Sequence, residues 1–193
     1  MSKIVGKYKL KLPLIVVAFL GGIALGVGYN ELYTPVSPTA WHSTHTETDT
    51  INVCFTPPSG CGSLIAKEIA KAKESIYVQA FGLTSQKIVE QLIQAKQNGV
   101  QIHVLLDRSN LSDKYSKMSE LKRAGIEVSI DRVPGIAHNK VMIIDKTKVI
   151  TGSFNFTNAA DTRNAENVLL IENSDIAATY LRSWYSRKEK VKE

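Results

Sequence analysis

Cysteine is scarce in this chain: it occurs twice, at Cys54 and Cys61, so a disulfide-dense scaffold is excluded. Histidine occurs four times, at His42, His45, His103 and His138. No set of His, Cys and carboxylates has the spacing of a catalytic metal site, and no metal or other cofactor is expected. Internal repeats are missing, which excludes solenoid and array architectures. Acidic residues are missing altogether from residues 1–28, while Lys3, Lys7, Lys9 and Lys11 lie there. Of the net charge of +6, four units belong to that stretch, and the remainder holds 20 basic against 18 acidic residues. A net of +2 outside the first 28 residues gives charge alone little to say about an anionic partner.

What is present begins with that leader. The lysines precede an uncharged apolar run from Pro13 to Gly28, the layout of a secretory signal. Sixteen helical residues span about 24 Å, short of a hydrocarbon core of about 30 Å but long for a signal. Residues 1–28 are thus a cleaved signal peptide or a retained membrane anchor, and either implies export to a periplasmic or outward-facing position. Residues 29–50, polar and rich in Thr, Pro and His, read as a linker. Residues 51–187 form the domain, and 188–193 a charged tail. In an oxidising compartment Cys54 and Cys61 can close a small loop across Pro57-Pro58-Ser59-Gly60.

From Ile51 the apolar pattern alternates between strand and helix periods. Strands are expected at 51–55, 75–81, 100–106 and 126–130, with helices at 63–74, 85–98 and 112–124. Val100–Leu106 is nearly continuous in apolar residues, as a strand covered on both faces would be; His103 within it reads as a satisfied core side chain. The last third reads as strands at 138–145, 149–151 and 166–171, then a helix at 174–185. This order implies an α/β sandwich with helices on both sides of a mixed sheet.

If 138–145 is one strand, His138 and Lys140 project from one face and Asp145 from the other. Imidazole can attack phosphorus or move a proton near neutral pH, and an ammonium group binds a phosphoryl oxygen. A two-residue turn at Lys146-Thr147 would place His138 opposite Asn155 and Lys140 opposite Ser153. One hairpin face would then carry a nucleophile, a cation and two neutral donors, the set that a phosphate needs. Glu166 opens the next strand; behind His138, its carboxylate would fix the tautomer and support the positive charge.

His138-Asn139-Lys140 with Asp145, followed by Gly152-Ser153-Phe154-Asn155, resembles the HKD signature of the phospholipase D superfamily. The longer block from Thr151 to Asn167 is similar to the short, single-motif bacterial Nuc-type endonucleases, and the likeness runs over 51–187. The resemblance implies the phospholipase D-like αβα sandwich and a phosphohistidine intermediate on His138. It implies phosphate binding by Lys140 and Asn155 with Ser153 in support, a structural Asp145 beside Gly152, and Glu166 as the residue orienting the histidine. It further implies a metal-independent endonuclease acting on DNA, and on RNA as a wider substrate, through a homodimer with one shared site. The alternative is a phospholipase D cleaving phospholipid headgroups, with the membrane also a partner through an uncleaved leader. A catalytically dead tether for nucleic acid or membrane is the weakest reading, given the intact residue set.

Overall fold

Segments 75–80, 101–107 and 140–144 have few polar side chains to turn toward water, and they form the centre of a sheet. The computed structural model describes residues 42–45, 49–58 and 60–190; the leader and most of the expected linker lie outside them. The strands are β1 (His42–His45), β2 (Thr50–Thr56), β3 (Ser75–Ala80), β4 (Gln101–Asp107), β5 (Glu127–Asp131), β6 (Lys140–Ile144), β7 (Lys148–Gly152) and β8 (Glu166–Glu172). They form one sheet in the order β1-β2-β8-β7-β6-β3-β4-β5. β3, β4 and β5 run parallel, and the remaining pairings are antiparallel.

The helices are α1 (Cys61–Ala70), α2 (Gln86–Gln97), α3 (Met118–Arg123), α4 (Asn158–Thr162) and α5 (Ser174–Glu189). One core unites Ile65, Ile88, Leu92 and Leu121 from α1, α2 and α3 with Val78, Val104, Met142 and Ile150 of the sheet. On the opposite face Ala177 and Trp184 of α5 cover Tyr77, Leu105, Ile143 and Val149. The expected sandwich with a mixed sheet is what forms. Among the described residues no helix is long and apolar enough to cross a membrane.

Several boundaries differ from the sequence reading. The end of the expected linker joins the sheet, because β1 pairs with β2. The helix expected to run to Glu74 stops at Ala70: the Asp145 carboxylate accepts the backbone N–H groups of Lys73, Glu74 and Ser75 at 3.0, 2.8 and 3.0 Å, so those amides serve a turn. Of the helix expected over 112–124 only the short α3 forms, and a 3₁₀ turn at Arg108–Leu111 precedes it. Here Ser109 N–H and the Asn110 side chain bond to Asp107, a local competitor of regular helix.

The β6–β7 hairpin is shifted by one residue from expectation. Ile144 faces Lys148 and Val141 faces Thr151, leaving a three-residue loop in which Asp145 and Lys146 have positive φ of 50° and 57°. Lys-Thr is a poor two-residue hairpin turn, and the longer loop frees Asp145 to reach back toward Ser75. Strand β6 also begins at Lys140, so His138 and Asn139 precede it. The expected pairing of His138 with Asn155 and Lys140 with Ser153 is therefore not formed.

Candidate active site

Strand ends converge at one edge of the sheet: the start of β6, the ends of β3 and β7, and the start of β8. Ala80 pairs with Lys140 and Gly152 with Val168. Phe81 N–H donates to Asn139 O at 2.8 Å, which continues the ladder one step past β6 before the chain departs toward His138. Two of the proposed chemical residues thus lie at a strand start, where a rigid sheet ends and solvent begins.

His138 is exposed and Lys140 is buried, at 7% exposure. The Lys140 ammonium donates to His138 O at 2.9 Å and lies 5.4 Å from the centre of the Phe81 ring. The same ring meets the His138 imidazole edge-to-face at 4.9 Å. Phe81 therefore packs against both, a contact that sequence spacing could not show because Phe81 is remote in the chain. Burial pushes the Lys140 pKa below the ordinary lysine value, and the charge of Glu166 opposes that shift. No carboxylate forms an ion pair with Lys140 among the described residues, so its cation remains open to an anionic ligand.

Glu166 Oε2 accepts the Ser153 hydroxyl at 2.5 Å, and Oε1 accepts the Asn164 amide at 2.9 Å. Among the described residues no hydrogen bond joins Glu166 to His138. The Ser153 oxygen in turn accepts from the backbone N–H and side-chain amide of Asn167 at 3.1 and 3.3 Å. Ser153 thus commits its one proton to Glu166. Asn155 is half-buried, with its Oδ1 enclosed and without a donor among the described residues. Folding alone disfavours an orphaned buried acceptor.

Gly152 has φ of +149°, and a Cβ there would lie 2.2 Å from Asn167 O. Only glycine lets β7 approach β8 this closely and then release Ser153 to face Glu166. Asp145 sits at the other end of β6, away from this cluster. Burial would raise its pKa, but the N–H groups of Glu74, Ser75 and Lys73 hold it below the ordinary carboxylate value.

Sequence reasoning missed a second buried anchor. Asp107, 2% exposed, accepts Ala137 N–H at 2.7 Å, fixing the residue directly before His138. Asn110, also buried, donates to Phe81 O at 2.7 Å. The only legible signal was an aspartate ending an apolar strand.

Cys54 and Cys61 are joined by a disulfide. His103 Nδ1 lies 2.8 Å from Glu127, its ring stacks on Tyr77 at 5.0 Å, and it sits under α5, half-buried. Among the described residues no grouping of His, Cys and carboxylates suits a metal ion.

Residues 65–187 match the family model described as cardiolipin synthase, PLD-like domain. A protein named phospholipase D from Rickettsia bellii is 52% identical over 187 residues, covering 90% of this chain and 93% of that protein. Human mitochondrial cardiolipin hydrolase is 31% identical over 122 residues, covering 63% of this chain and 48% of that one. The crystal structure of Nuc from Salmonella typhimurium, a phospholipase D family member, superposes with a TM-score of 0.70 and 33% identity. It covers 73% of this chain and 95% of Nuc.

Proposed function

Because the chain belongs to the phospholipase D superfamily, with its PLD-like domain matched at residues 65–187, we propose that it hydrolyses the headgroup phosphodiester of phospholipids. At the coarser level it is a phosphodiesterase of that superfamily. The observation that carries the finer reading is the 52% identity, over nearly the full length of both chains, to a protein named phospholipase D. The DNA substrate expected from the sequence rests on the likeness to Nuc, at 33% identity, and is the second reading. A lysine-led apolar leader supports export and a place at a membrane surface.

In this proposal His138 attacks phosphorus, forming a P–N bond as the P–O bond to the headgroup alcohol breaks. Lys140 and the Asn155 amide take the non-bridging oxygens, and their donors act where charge develops in the transition state. Glu166, held by Ser153 and Asn164, keeps negative charge near Lys140. A second imidazole protonates the leaving alcohol, then accepts a proton from the water that releases the phosphohistidine. Of the other histidines, His103 is engaged under α5 and His42 and His45 bound β1. The second imidazole is therefore that of another copy, in a two-fold dimer with a shared site.

Purified full-length protein, given phosphatidylcholine in mixed micelles and single-stranded DNA in parallel, tests the choice of substrate. Choline release that persists in excess EDTA is the expected result. DNA cleavage without choline release would move the assignment to the nuclease reading. Loss of all activity in EDTA, restored by Mg²⁺, would overturn the histidine mechanism.

A further inference from the structure

Arg163 lies within the motif block, yet the phosphodiesterase chemistry gives it no task. It is exposed, and its guanidinium has no hydrogen-bond or ion-pair partner among the described residues. It lines a groove of about 660 Å³ together with Thr84, Lys114, Tyr115, Lys117 and Asn158. Lys114 lies 4.8 Å from the Tyr115 ring centre and, among the described residues, forms no ion pair with a carboxylate. Lys117 is only loosely paired, with Glu120 at 3.4 Å. One acid lines the groove, Asp113, and its carboxylate is turned to the Tyr115 N–H at 2.9 Å.

The groove is built on the loops that serve the catalytic residues. Thr84 and Ser85 N–H groups both donate to Phe156 O at 3.0 Å, and Lys117 N–H donates to Leu83 O at 3.1 Å. These contacts tie together the segment that begins with Phe81 and the segment that carries Asn155.

We propose that this groove is a second phosphate-binding subsite, which takes the phosphate of an anionic phospholipid headgroup beside the bond being cleaved. The inference rests on the phospholipid reading above. Three cations, Lys114, Lys117 and Arg163, against two carboxylates, Asp113 turned to a backbone N–H and Glu120 beside Lys117, leave the groove locally positive, while residues 29–193 carry a net of only +2. A polynucleotide track needs a longer basic stripe than this. A single headgroup phosphate is met by two or three cations and the neutral donors of Thr84 and Asn158. At the rim, Tyr115 is 65% and nearby Leu111 53% exposed, side chains suited to the boundary between headgroups and acyl chains.

The test uses full-length His138→Ala protein in neutral detergent, titrated calorimetrically with dioctanoyl phosphatidic acid, inorganic phosphate or a single-stranded octanucleotide. Adding Lys114→Gln and Arg163→Gln together should weaken phosphatidic acid binding about tenfold, as expected for two cations removed from an anionic headgroup. Unchanged affinity would overturn the proposal. Inorganic phosphate binding as tightly as the lipid would overturn the lipid assignment, and so would a loss confined to the octanucleotide. With His138 intact, the same two substitutions should leave hydrolysis of bis(4-nitrophenyl) phosphate within about twofold. A larger loss there would make the groove part of the catalytic centre and overturn it as a separate subsite. Because binding is read without turnover, failure of phospholipid hydrolysis and failure of this subsite remain distinguishable.

Discussion

His138 and Lys140 stand two positions apart, yet one is exposed and the other buried against Phe81. That difference sets an expected pH response. With its pKa lowered by burial, Lys140 should lose its proton, and the enzyme its phosphate affinity, below the ordinary lysine range. In Lys140→Arg the alkaline limb of kcat/KM should move upward, even at a reduced rate, because guanidinium does not titrate there. An alkaline limb that stays in place would remove Lys140 as its cause. Asp145 belongs to the same scale but to stability. Three backbone donors favour its charged form, so its folded pKa lies below the unfolded value of about 3.9. Its stabilisation is therefore complete above that value and fades as pH falls through the folded pKa. Asp145→Asn should cost about 2 kcal/mol at neutral pH and flatten the acid slope of urea-melt stability. A folded variant as inactive as His138→Ala would instead give Asp145 a part in the chemistry.

At the scale of elements, the β7–β8 junction concentrates the constraint. Gly152 combines positive φ with an approach of its Cβ position to within 2.2 Å of Asn167 O. Gly152→Ala should destabilise by about 2–3 kcal/mol, through strain and displaced backbone. Thermal melts should show that loss along with reduced turnover, since Ser153 and Glu166 lie beside the junction. A melt unchanged from wild type would mean the junction relaxes without cost. Helix α1 and α4 meet through a comparable tie: Asp161 Oδ1 accepts the N–H groups of Gly60 and Gly62, each at 3.0 Å. The loop closed by the disulfide is thereby anchored to the element that follows the motif.

For the whole molecule, the proposed shared-site dimer makes a sharp demand. Heterodimers of wild-type and His138→Ala subunits retain one imidazole per site, so their turnover should be near zero. Half the wild-type rate would show independent sites and end the shared-site proposal. His138 is exposed and lies just before β6, an interior strand of the sheet.

The α/β order and the buried apolar run Val100–Leu106 were legible in the chain alone, and its motif spacing proposed the residue set His138, Lys140, Asn155 and Glu166. Apolar periodicity is local, and the motif's spacing is a property of the chain. The hairpin register came from folding, because Asp145 leaves its strand to bind amides about seventy residues earlier; folding also decided which distant segments meet. It also decided that Phe81 packs on His138 and Lys140, and that Asp107 and Asn110 brace the approach to them. Each is a contact between segments far apart in the chain, and only packing of the folded sheet brings such segments together.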